Sequence, residues 1–161
     1  MNYIVETLDL IDENTLNILY ELSLAYFKEY AGHDNTNTIE ELTRDHIDNY
    51  FSAFINRQDR RVSIAKVNNI IVGYITYYEK QRQCFYEIKS IGEISGLFVS
   101  KEFRNLGIGK QLMECAKKYF RNRRIQYYSL FTSINDKKGI EYFKKNGMYE
   151  NNIILHGKII T

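Results

Sequence analysis

From Leu97 to Lys110 the chain reads Leu-Phe-Val-Ser-Lys-Glu-Phe-Arg-Asn-Leu-Gly-Ile-Gly-Lys: an apolar strand, a short polar turn and an Arg-x-x-Gly-x-Gly step. Ile108, Leu112, Ala116, Tyr119 and Phe120 then repeat at helical spacing and place one apolar stripe on the following segment. A strand that turns through two glycines into a helix builds an anion cradle. Successive backbone N–H groups and the positive end of the helix dipole hold a phosphate without any side chain. Gly107 and Gly109 matter because a β-carbon at either would keep a ligand away from the main chain.

Two other glycine loops are excluded by the residues present. A dinucleotide fingerprint requires a third glycine where Leu112 stands. A Walker-type loop requires glycine where Arg104 stands and a hydroxyl residue where Gln111 stands.

Elsewhere the pattern predicts a strand over 3–8, a helix over 12–30 capped by Asp12, and a polar loop over 31–37. A second helix is expected over 38–56, opened by a Thr38-x-x-Glu41 capping box. Strands over 61–67 and 70–78 flank Asn68-Asn69, which suits a two-residue hairpin turn. Residues 81–84 read as loop, and a long strand over 88–99 leads into the glycine loop. A buried-type strand over 126–132 and a helix over 136–145, closed by Asn146-Gly147, come next. Met148 and residues 153–160 supply final strand material. At 161 residues, without repeats or linkers, the expectation is one α/β (α+β) domain spanning 1–161.

The first fifty residues hold eleven acidic side chains against two basic ones, whereas the remainder hold nine against twenty. A basic half suits a phosphate-bearing ligand and an acidic half suits a cationic acceptor; solvation of exposed helical faces explains the acidic excess equally well. The start of the chain does not read as a signal peptide, and no apolar run is long enough to span a membrane. Two cysteines, Cys84 and Cys115, make no disulfide framework, so a cytoplasmic enzyme with free thiols is expected. His33 and His46 have no metal-ligand spacing, and no metal is expected.

The loop at 104–109 resembles motif A of the GNAT superfamily, the acetyl-CoA-dependent N-acetyltransferases, whose pattern is Arg/Gln-x-x-Gly-x-Gly/Ala after a strand. The run Gly139-Ile-Glu-Tyr-Phe-Lys-Lys-Asn-Gly-Met148 resembles motif B, and its Tyr-Phe-Lys-Lys-x-Gly wording is similar to the histone acetyltransferase branch. The resemblance is specific over 93–148 and implies the GNAT fold: a mixed, mostly antiparallel central sheet flanked by helices, with strands splayed at the acetyl-CoA site. It implies that the amides from Arg104 through Asn105, Leu106, Gly107, Ile108 and Gly109 to Lys110 bind the coenzyme's pyrophosphate. A bulge at Gly96 would free main-chain groups of Leu97 and Val99, on either side of Phe98, for the pantetheine arm, with the Leu97 amide polarising the thioester. Asn135 corresponds to a frequent coenzyme contact, and helix capping is its other role.

Glu93 lies at the offset of the histone acetyltransferases' glutamate base, and burial would tune it for that work. Many members carry, where Phe143 stands, a tyrosine that protonates the departing thiolate. Here Tyr142 is the candidate, although one helical position turns a side chain by about 100°. A thiol pKa near about 8.5 makes a dedicated acid dispensable.

The implied activity is direct acetyl transfer from acetyl-CoA to a small-molecule or peptide amine, with a cationic acceptor favoured. Tyr26, Tyr30, His33, Tyr77 and Tyr78 are candidates to line its pocket. No membrane partner is expected, and a homodimer is left open. A non-catalytic acyl-CoA sensor and an RNA-binding module on Lys117, Lys118, Arg121, Arg123 and Arg124 are the alternatives.

Overall fold

Asn68 and Asn69 both adopt left-handed backbone, with φ of 48° and 65°. That is the requirement of a primed two-residue turn, and asparagine tolerates it better than any residue but glycine. The turn joins β2 (Arg60–Val67) to β3 (Ile70–Gln81) in an antiparallel hairpin. β1 (Tyr3–Leu8) pairs with β2, and β4 (Ser90–Val99) pairs with β3, both antiparallel. β5 (Tyr128–Leu130) joins the far side of β4 in parallel. The five-stranded mixed sheet therefore runs β1-β2-β3-β4-β5. The computed structural model describes residues 2–33 and 41–156.

Both faces of this sheet are covered, which is why consecutive residues of β2 and β3, 62–65 and 71–77, are all buried. On one face, α1 (Glu13–Tyr30) and α2 (Arg44–Ile55) place Leu19, Leu22, Ile47, Phe51 and Phe54 against Val62, Ile64, Tyr74 and Phe98. On the other, α3 (Ile108–Asn122) buries Ile108, Leu112, Met113, Ala116 and Phe120 against Ala65, Ile75, Tyr77 and Ile94. Phe143 of α4 (Lys137–Lys145) and Met148 join that second core. Among the described residues, no helix is long and apolar enough to cross a membrane.

Asp12 caps α1 as its position suggests, its carboxylate accepting the Thr15 amide at 2.7 Å. The second cap differs from expectation. Thr38 lies outside the described residues, Glu41 precedes the helix, and α2 is opened instead by Thr43. The Thr43 hydroxyl accepts from the His46 amide at 3.4 Å while His46 Nδ1 accepts from the Thr43 amide at 3.2 Å. Thr43→Ala is expected to lower stability by about 1 kcal/mol, read as a fall in denaturant midpoint. Met148 and residues 153–156, expected to contribute strand, carry no regular structure, and 157–160 lie outside the described residues. β5 is also shorter than the predicted 126–132.

Candidate functional site

The glycine loop is built from alternating backbone hands. Asn105 has φ 63° and Gly107 has φ 84°, so the chain twists through two left-handed positions before α3 begins at Ile108. Ile108 anchors the helix start by inserting into the core at 1 % exposure, while Asn105, Leu106 and Lys110 face solvent. The first helical bond runs from the Gln111 amide to the Gly107 carbonyl at 3.0 Å. The amides of Ile108, Gly109 and Lys110 thus precede the helical ladder, as the first N–H groups of any helix must. An ideal β-carbon on Gly109 would stand 2.8 Å from the Tyr142 hydroxyl.

Immediately upstream, one extra residue changes which way β4 points. The β3–β4 register shifts so that Thr76 opposes Gly96 while Tyr77 opposes Ile94, leaving Ser95 as the added residue of a bulge. Before the bulge, the Gly92 amide bonds outward to the Tyr127 carbonyl at 2.9 Å; after it, the Ser100 amide bonds inward to Val72 at 2.8 Å. Strand alternation then turns the main-chain groups of Leu97 and Val99 toward the β5 side. β5 is no longer there, because its pairing ends at Ile94 opposite Leu130. The result is a cleft in the sheet edge lined by Tyr26, Ser95, Leu97, Leu130, Asp136 and Phe143.

The expected residues divide between this cleft and its surroundings. Leu97 lines it; Phe98 points into the α1–α2 core at 5 % exposure. Tyr26 and Tyr30 line it as expected, and burial pushes the Tyr26 phenol up to about 12. Tyr77 does not: it is buried in the α3-side core with 1 % exposure. Arg104 turns back from the phosphate loop, donating from Nε to the Val99 carbonyl at 2.8 Å and from Nη2 to both Glu29 carboxylate oxygens at 3.0 and 2.9 Å. Asn135 donates to the His33 carbonyl at 2.8 Å, and the cap of α4 is its neighbour Asp136. Phe143 of motif B lines the cleft, whereas the Tyr142 hydroxyl is shut away beside Gly109 without a hydrogen-bond partner among the described residues.

Arg60, Tyr78 and Glu93 oppose one another across β2, β3 and β4. The Arg60 guanidinium lies 4.7 Å from the centre of the Tyr78 ring, and the Tyr78 hydroxyl donates to Glu93 at 2.7 Å. Burial, reinforced by the Glu93 carboxylate and opposed by Arg60, pushes the Tyr78 phenol up to about 12, so it remains a donor. Lys80 Nζ holds the other Glu93 oxygen at 2.6 Å. Three of the five basic residues of the alternative RNA surface are paired: Lys117 and Arg121 with Glu114, and Arg123 with Glu79. Their expected reading as a solvated helix face fits this better than a nucleic-acid surface.

An open sheet edge beside unladdered amides suits a phosphate-bearing acyl carrier, and the chain has relatives among known proteins. Residues 16–148 match the family model described as the acetyltransferase (GNAT) family. The chain belongs to this family. Over 81 residues it is 37 % identical to an uncharacterised N-acetyltransferase of Archaeoglobus fulgidus, covering 49 % of this chain and 54 % of that protein. Over 133 residues it is 26 % identical to one of Methanocaldococcus jannaschii, covering 80 % of this chain and 55 % of that protein. The chain thus spans about half the length of these curated relatives. Its fold is shared by aminoglycoside N-acetyltransferase AAC(6′)-Iy, solved with CoA: TM-score 0.76, 15 % identity, 98 % of this chain and 95 % of that one covered.

Chemically, acetyl-CoA fits the residues present. The cradle has amides without ladder partners and a glycine whose β-carbon would collide with its surroundings. The open edge offers main-chain groups at the spacing of an added strand. Sequence reasoning missed the hydroxyl cluster around Ser95, because Tyr50, Thr76 and Ser95 are distant in the chain and share no motif.

Proposed function

We propose that this GNAT-family protein transfers an acetyl group from acetyl-CoA to a primary amine by direct attack in a ternary complex. The observation that carries the reading is the open edge of β4 after Ile94, which leads to the unladdered amides at the start of α3. The amides from Asn105 to Lys110 hold the coenzyme's pyrophosphate, the Arg104 amide being turned instead to the Lys101 carbonyl at 3.3 Å, and Leu97 and the Val99 amide hold the pantetheine arm. The Leu97 N–H then faces the thioester oxygen, where a donor stabilises charge that develops during attack. Arg104 acts from behind the loop, tying β4 to Glu29 of α1.

The acceptor is a small-molecule or peptide amine entering from the α1–α2 side. A structural neighbour is named for aminoglycoside acetylation, which supports an amine acceptor. Asp136 in the cleft and the acidic first fifty residues favour one that carries positive charge. Glu93 accepts the proton that an ammonium must lose before it can attack. No acyl-enzyme forms, since the reaction needs no nucleophile other than the amine.

A screen for coenzyme A release across amine classes tests the activity, and turnover with at least one acceptor is the expected result. Phe143 in the cleft, with no hydroxyl to offer, favours the sensor as a second reading. Acetyl-CoA binding without release by any amine would establish that alternative. Glu93→Gln is expected to flatten the low-pH limb of the rate profile while leaving coenzyme affinity unchanged. An unaltered profile would remove Glu93 from the base's role.

A further inference from the structure

The bulge in β4 does more than open the sheet. It presents Ser95 to the cleft while joining its hydroxyl to two others in a closed triangle. Tyr50 Oη and Thr76 Oγ1 are 2.8 Å apart, Tyr50 Oη and Ser95 Oγ are 3.0 Å apart, and Thr76 Oγ1 and Ser95 Oγ are 3.0 Å apart. Thr76 is fully buried, Tyr50 arrives from α2, and Ser95 is the member on the cleft. Three hydroxyls in a ring can each donate once and accept once, which leaves the Ser95 oxygen a lone pair for an incoming donor. A side chain at position 96 would intrude, because a Gly96 β-carbon would stand 3.0 Å from Thr76 Oγ1.

Acetyl transfer has two protons to manage. The first leaves the ammonium before attack. The second becomes acidic afterwards: the amine nitrogen, once bonded to the carbonyl carbon, is positively charged, while the sulfur departs with the electron pair of the broken C–S bond. Glu93, once it has taken the first proton with Tyr78 and Lys80 also on its two oxygens, has no place for the second. Neither motif B aromatic offers a hydroxyl to the cleft, since Phe143 has none and that of Tyr142 is buried beside Gly109.

We propose that Ser95 is a catalytic residue that shuttles this second proton, and that Tyr50 and Thr76 are positioning residues that aim its hydroxyl; the proposal rests on the acetyl-transfer reading above. Ser95 Oγ takes a proton from the nitrogen on its free lone pair while its own O–H, turned out of the ring onto the sulfur, gives up its proton there. One N–H bond and one O–H bond break, one O–H bond and one S–H bond form, and the serine is regenerated without a net exchange with solvent. Ser95 stands two residues before Leu97, whose amide faces the thioester, and two residues after Glu93. Along β4 it falls between Glu93 and Leu97, and of these three Ser95 and Leu97 line the cleft. Burial raises the Tyr50 phenol, which keeps the ring neutral at physiological pH.

The test compares wild type with Ser95→Ala, Ser95→Thr and Tyr50→Phe on whichever amine the screen identifies, with coenzyme A affinity measured by calorimetry. Ser95→Ala is expected to lower kcat by about 100-fold, within the range for a lost proton-transfer group. Coenzyme affinity and acceptor KM should stay within about twofold, the pattern of an interaction made only in the transition state. Ser95→Thr should recover most of the rate, and Tyr50→Phe should show a smaller kcat loss of the same kind. A Ser95→Ala enzyme as fast as wild type would overturn the shuttle, as would a loss of coenzyme affinity matching the loss of kcat. If wild type binds the coenzyme but acetylates no amine, the transfer reading itself fails and the shuttle falls with it.

Discussion

Gly109→Val is expected to weaken coenzyme A binding by at least about 100-fold, equivalent to about 2.8 kcal/mol, while the protein remains folded. Gly109 sits in the first turn of α3 with ordinary helical backbone, so valine is admitted by φ and ψ, and the obstacle is space. Its first added carbon would approach Tyr142 Oη to 2.8 Å and Tyr142 Cζ to 3.4 Å. Valine carries two further methyl groups, which must crowd either the phenol or the anion cradle. The amide to be shielded is one of those preceding the first ladder bond at Gln111, and an anion there gains both hydrogen bonds and the helix dipole. Adding Tyr142→Phe to the same chain separates the two obstacles. If the clash with the phenol alone displaced the loop, removing the hydroxyl would restore affinity. The cradle explanation requires that it does not, and isothermal calorimetry on both variants decides between them.

Much of this site was legible because its signals are local. Gly107, with φ 84°, occupies a left-handed position that favours glycine, and Asn105 supplies the other with a residue that tolerates it. The strand before the loop and the apolar stripe after it lie within one continuous stretch, so period and turn residues reported them together. Gly96 marked the bulge for a similar reason. The second helix start was misplaced because a Thr-x-x-Glu pattern at 38–41 resembles a capping box, whereas the cap that forms uses His46 as the reciprocal partner of Thr43. Histidine at that position is outside the usual pattern, and nothing local ranks it above glutamate.

What escaped sequence reasoning depends on contacts between distant elements. Arg104 looks available to a phosphate until Glu29, 75 residues away, is found to hold it. The Tyr50–Ser95 contact spans 45 residues and exists only because the bulge turns Ser95 toward α2. Motif B placed two aromatics side by side, and only the docking of α4 settled that Phe143 meets the cleft while Tyr142 meets Gly109. Such assignments follow from helix rotation, which a pattern of apolar residues fixes only to within neighbouring positions.

Phe51→Ala is expected to cost about 3–5 kcal/mol of stability, a large share of the roughly 5–15 kcal/mol typical of a domain. Phe51 is fully buried in α2, meeting the Tyr74 ring edge-on at 5.4 Å and lying within the cluster that joins both N-terminal helices to the sheet. Truncation removes apolar contact and leaves a cavity that a sheet on one side and two helices on the other cannot close. Urea unfolding should show a lower midpoint with an unchanged slope. The same substitution should slow acetyl transfer under conditions where the protein is still folded. Tyr50 is the preceding residue, and its hydroxyl reaches Thr76 and Ser95 only while α2 keeps its seat on β3 and β4. Phe51→Leu, which keeps most of the volume, should retain both stability and rate to a far greater degree. A Phe51→Ala protein that lost stability yet kept full kcat would show that α2 anchors the fold without aiming the hydroxyl ring.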